Sequence, residues 1–149
     1  MLDLTRRSFI TAAASLCLAR PAFAIGHPVS TGSNGVAIQG YDTHAYWGKG
    51  AAHMGDPSHL VEWRGAPWQF STATEAEMFA ATPARFAPQF GGFCTRAMSF
   101  KKVVDSDPMV WRIFEAKLYL FARPKGGKAF DKDAATIIAK AQAHWDTLG

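Results

Sequence analysis

Two strand-turn-strand runs constrain this chain more than any other feature. Leu60-Val61-Glu62-Trp63 and Pro67-Trp68-Gln69-Phe70 flank Arg64-Gly65-Ala66. Further on, Val110-Trp111-Arg112-Ile113-Phe114 and Leu118-Tyr119-Leu120-Phe121 flank Glu115-Ala116-Lys117. β-Branched and aromatic residues on both sides of so short a connection read as antiparallel hairpins. Helical patterns fill much of the rest. Asp42 is placed to cap a brief helix through Trp47. Thr72 and Glu75 form a capping box before a helix through Ala81 that buries Ala76, Phe79 and Ala80. Another helix is expected from Thr95 to about Lys102. A last one, from about Asp133 to Leu148, puts Ala134, Ile138, Ala141, Trp145 and Leu148 on one face. Gly48 to Pro57 and Pro124 to Lys128 read as loops, Pro83 to Pro88 as a bend, and Asp105 to Pro108 as a turn. Hairpins mixed with helices, without a βαβ rhythm, predict an α+β domain: a small antiparallel sheet of hairpins packed against helices. No internal repeat and no second domain are legible.

The chain can fill such a fold. Of its 149 residues 48% are hydrophobic and 19% charged, which excludes a disordered tail or a coiled coil and predicts one packed domain. The five Trp require a packed interior or a groove.

The N-terminus reads as an address. Thr5-Arg6-Arg7-Ser8-Phe9-Ile10 resembles the start of a twin-arginine signal, followed by a weakly apolar stretch and by Ala22-Phe23-Ala24, small residues where a signal peptidase cuts. The expected organisation is a signal peptide over 1–24, a flexible leader over 25–35 and a domain over 36–149, with a periplasmic destination. The apolar stretch is about half of the ~20 residues a spanning helix needs, so no anchor is expected after cleavage.

Cleavage changes the charge argument. The formal +4 falls to +2, because Arg6, Arg7, Arg20 and Asp3 are lost. No basic run longer than Lys101-Lys102 remains, which excludes a nucleic-acid footprint and a polybasic membrane anchor at the level of sequence. Cys17 is lost as well, leaving Cys94 as the lone thiol and no internal disulfide.

Several segments together resemble YHS-domain proteins. Gly40-Tyr41-Asp42-Thr43-His44-Ala45-Tyr46 is similar to their opening motif, and Trp68-Gln69-Phe70-Ser71 to their second-strand segment. Phe86-Ala87-Pro88-Gln89-Phe90-Gly91-Gly92-Phe93-Cys94 and Lys117-Leu118-Tyr119-Leu120 resemble later parts of the exported, single-domain branch. The resemblance implies a hairpin packed on helices. It also implies a link to metal chemistry, because metal-associated members carry cysteines at two positions. Here those positions hold Ala45 and Ser71, neither of which is a soft ligand.

The residue chemistry therefore centres on Cys94. At the start of a helix its thiolate would be favoured by the helix dipole, and Met98, four residues on, shares its face. A thiolate with a thioether suits a soft metal such as Cu, or Zn, and His44 is the first candidate for a third ligand. The other histidines, His27, His53, His59 and His144, show no regular ligand spacing. Three readings stand at this point. The first is an exported, non-enzymatic binding module for a metal ion or another exported protein, with Cys94, Met98 and His44 as the metal candidates. The second is a metal-free structural or interaction domain. The third is a small thiol enzyme using Cys94.

Overall fold

The computed structural model describes residues 26–149, so the signal-peptide reading of 1–24 lies outside the described residues. The order of elements is α1 (Thr43–Gly48), β1 (Asp56–Trp63), β2 (Ala66–Phe70), α2 (Ala73–Ala81), α3 (Pro83–Phe86), α4 (Thr95–Met98), β3 (Asp107–Phe114), β4 (Lys117–Phe121), α5 (Pro124–Lys132) and α6 (Ala134–Trp145). The expected α+β class is the observed one. Among the described residues the two hairpins do not merge into one sheet: β1 pairs only with β2, and β3 only with β4, both antiparallel.

The element order contains an internal repeat, where none was expected from the sequence. Asp56–Trp63, Ala66–Phe70 and Ala73–Ala81 recur as Asp107–Phe114, Lys117–Phe121 and Pro124–Lys132, each 51 residues later. Both hairpins break register at the same place, between Asp56 and Leu60 and between Asp107 and Trp111. Each first Asp closes that bulge in the same way, accepting the backbone N–H of Ser58 at 2.8 Å or of Met109 at 2.9 Å. The entry to each half repeats too. Ile38 (φ 42°) and Phe90 (φ 53°) take left-handed backbone, and each is followed two residues later by a glycine, Gly40 (φ 89°) or Gly92 (φ 83°). Only glycine reaches such angles without steric cost. Tyr41 then donates to the Ile38 carbonyl and Phe93 to the Phe90 carbonyl. Few residues are shared between the halves, among them Gly40/Gly92, Thr43/Thr95, Asp56/Asp107, Pro57/Pro108, Phe70/Phe121 and Phe79/Phe130.

Several expectations about boundaries and burial are corrected. Pro124 to Lys128 is helical, the start of α5, and not a loop. Pro opens it at a position where the missing N–H costs nothing, and Gly126 and Gly127 are there for close approach. A side chain on Gly127 would meet the Arg112 guanidinium, and one on Gly126 would meet Arg96 and Phe121. The helix after Cys94 ends at Met98, short of Lys102, and Ala80 of α2 is exposed. On α6 the buried positions are Ile137, Ala141 and Trp145, so the face turns toward Ile137. The segment expected as a flexible leader packs on the body from His27 onward. The His27 ring stacks on Trp145 at 4.3 Å, and Ser30 is buried, with its Oγ donating to Asp105 at 2.6 Å.

Each half contributes a cluster of buried side chains. One gathers Ile38, Tyr46, Trp68, Phe70, Phe79 and Phe86, and the other Phe90, Met98, Tyr119, Phe121, Phe130 and Trp145. β4 belongs to both. Leu118 and Leu120 enter the first cluster while Tyr119 and Phe121 enter the second, as the two-residue period of a strand requires. Hydrogen bonds also cross between the halves. Gln39 Nε2 donates to the Ser106 carbonyl at 2.8 Å, and the buried Tyr46 hydroxyl to the Pro108 carbonyl at 2.8 Å.

Burial holds the Tyr46 phenol far above its ordinary value of 10.0, with Tyr41 and Asp107 adding to the shift. Above that ordinary value the unfolded chain ionises this tyrosine and the folded chain does not, so stability must fall as pH rises past 10. Tyr46→Phe is expected to cost roughly 1–2 kcal/mol at neutral pH, because it leaves a buried carbonyl without its donor. It should also remove a slope of roughly 1.4 kcal/mol per pH unit from the alkaline limb. Urea unfolding of both proteins between neutral pH and high pH measures both effects; parallel alkaline limbs would count against the assignment.

Candidate functional site

The capping positions of α1 and α4 are equivalent in the repeat, and they carry Asp42 and Cys94. Asp42 is fully buried and fully used. One carboxylate oxygen accepts from His44 N at 2.8 Å, and the other from Ser71 N at 2.9 Å and Ser71 Oγ at 2.7 Å. It is a structural cap tying α1 to the end of β2, as its place in the sequence predicts. Ser71 spends its hydroxyl on that carboxylate.

Cys94 performs the same task weakly. Its Sγ accepts from Ala97 N at 3.4 Å, and only 4% of the residue is exposed. Met98 follows one turn later, fully buried in the same cluster. His44 is not brought to them. It lies at the equivalent of Arg96, in the first half, with its ring 4.3 Å from Phe86 and its Nε2 buried without a partner. Among the described residues no three His, Cys, Asp or Glu side chains gather as a metal group. His53 Nδ1 lies 2.9 Å from the Met54 carbonyl, and His144 borders a surface hollow with Lys101 and Lys140.

The feature that sequence reading missed is a cleft of about 610 Å³ where α4 and the residues after it face the end of β4 and the start of α5. Its apolar surface comes from Cys94, Ala97, Phe100, Ala122 and Ala129. Its charged residues are Arg96, Lys102, Arg123 and Lys125, all cations. The Arg96 guanidinium lies 4.2 Å above the Phe100 ring, which is itself 59% exposed. The only ion pair among the described residues is Arg112 with Asp131, at 2.7 Å, so none of the four cations has a carboxylate within ion-pair distance. These cations are spread over 30 residues of sequence and form no run, so a scan for basic runs cannot find them.

No helix among the described residues is long and apolar enough to cross a membrane. Compared with protein-family models, curated proteins and solved structures, the chain matches none.

The two equivalent caps differ in bond number and charge, which predicts unequal costs of removal. Asp42→Ala gives up three hydrogen bonds to a buried carboxylate and is expected to cost roughly 3 kcal/mol or more; Cys94→Ala gives up one long sulfur contact and should cost about 1 kcal/mol. Denaturant midpoints of the two variants check the order.

Proposed function

We propose that the protein is an exported, non-catalytic binding module of YHS type that takes a small ligand into the cleft over Cys94. The observation that carries this reading is the cleft itself. Its volume of about 610 Å³ suits a small molecule, as does the hollow of about 690 Å³ beside His144, but only this cleft sets a thiol and an aromatic face among four cations. Export rests on the arginine pair and the small residues of the N-terminal segment, Arg6-Arg7 and Ala22-Phe23-Ala24.

A soft metal on Cys94 and Met98 is the second reading. It is favoured by the two sulfur residues standing one turn apart in one buried cluster. Against it, four cations around the cleft repel an approaching metal ion.

The test is ligand-observed NMR on the mature domain with a fragment library, followed by alkylation of Cys94 with iodoacetamide. Fragments are expected to bind, to slow alkylation further and to be displaced by Ala129→Leu, which narrows the cleft. Fragment binding that the leucine leaves untouched would place the ligand elsewhere. One equivalent of Cu(I) retained through dialysis, and lost in Cys94→Ser, would decide for the metal.

A further inference from the structure

The two halves of the repeat treat one place in opposite ways. In the first half, the start of α2 is supplied with anions from within the chain. Thr72 Oγ1 accepts from Glu75 N at 3.2 Å and donates to the Glu75 carboxylate at 3.1 Å, while Asp42 sits alongside, bonded to Ser71. In the second half every one of these polar groups is gone. Cys94 stands for Asp42, Ala122 for Ser71, Arg123 for Thr72 and Gly126 for Glu75. Arg123 gives α5 no side-chain cap, and no acidic residue lies in the first turn of that helix. The cleft opens at this place.

The charges change in the same direction. Two carboxylates are removed. Arg96, Arg123 and Lys125 stand where the first half has His44, Thr72 and Thr74, and Lys102 joins them on the rim. A half that satisfies itself with carboxylates has become a half that presents cations around a hollow.

Resting on the cleft reading above, we propose that the ligand is an amphipathic organic anion, a carboxylate or a phosphate monoester on an apolar body. Its head sits between Arg96, Arg123 and Lys125, at the end of the second half that lacks the counterparts of the Asp42 and Glu75 carboxylates. Charge-assisted hydrogen bonds from these side chains hold it, and the dipole of the nine-residue α5 adds to them. Its apolar part lies against Cys94, Ala97, Ala129 and the exposed face of Phe100. The head alone leaves most of the hollow unfilled, so inorganic phosphate should bind weakly.

The experiment titrates the mature protein with octanoate, octyl phosphate, octanol and inorganic phosphate, each below its micellar concentration, and reads the amide resonances of Gly126 and Gly127. The two organic anions are expected to bind about tenfold or more tighter than octanol, as one or two charge-assisted bonds imply. Lys125→Glu, an exposed change, should weaken them by about tenfold or more and leave octanol unaffected. Arg123→Thr rebuilds the cap of the first half and should both weaken anion binding and raise the melting temperature. Equal binding of octanol and octanoate, indifferent to Lys125→Glu, would overturn the anion assignment and leave the cleft standing as a ligand site. Fragments that bind while none of these four probes does would overturn it as well. Absence of all binding, fragments included, would overturn the cleft reading itself. Vesicles of phosphatidylglycerol separate the two sources of such a head. Co-sedimentation abolished by Lys125→Glu assigns a lipid headgroup, and binding of octyl phosphate without co-sedimentation assigns a free anion; both support the proposal.

Discussion

β4 is the strand against which both halves of the molecule are built. A two-stranded hairpin in water is marginal, since one face of it stays wet and its edges stay unpaired. Here Leu118 and Leu120 fill one cluster and Tyr119 and Phe121 the other, so the strand is buried on both faces although its sheet has only two members. Each cluster thereby closes over the same wall. The hydrogen bonds from Gln39 and Tyr46 to the backbone around β3, at Ser106 and Pro108, lock the first half onto the second at the same seam. Neither half would hide its apolar face alone, which is the general condition of a repeat too small to stand by itself.

Once two halves share a scaffold, one of them is released from part of its duties. The first keeps α1, β2 and α2 together through the buried Asp42 carboxylate and the Thr72–Glu75 box. The second keeps α4 with one sulfur contact, and the core around Met98, Phe121 and Phe130 carries the rest. Stability that comes from the apolar cluster leaves the capping positions open to other chemistry. That is where the cations and the cleft lie.

Much of the fold was legible in the sequence because hairpins and helix caps are local. Leu60 to Phe70 and Val110 to Phe121 carry β-branched and aromatic runs around short turns, and Thr72–Glu75 and Asp42–His44 are caps whose partners lie within three residues. The α5 segment reads as a loop because Gly126 and Gly127 look like a break, whereas they make room for Arg112, Arg96 and Phe121 packing from elsewhere in the chain. The repeat was illegible because its halves share backbone angles and register far more than side chains. A left-handed turn can be built on Ile38-Gln39-Gly40 or on Phe90-Gly91-Gly92.

The site divides in the same way. Sequence alone singled out Cys94 as the lone thiol of the domain and Met98 as its neighbour one turn on, because helical spacing is a property of adjacent residues. It also determined an α+β chain of two hairpins with helices between them. Only the tertiary structure decided that His44 faces Phe86 in the opposite half, that Asp42 and Cys94 occupy one equivalent position, and that Arg96, Lys102, Arg123 and Lys125 ring one hollow. The reason is physical. Caps and hairpin turns are set by contacts a few residues apart, whereas a charged cleft is set by how α4 and α5 come to rest against β4, which the closing of two apolar clusters on one strand determines.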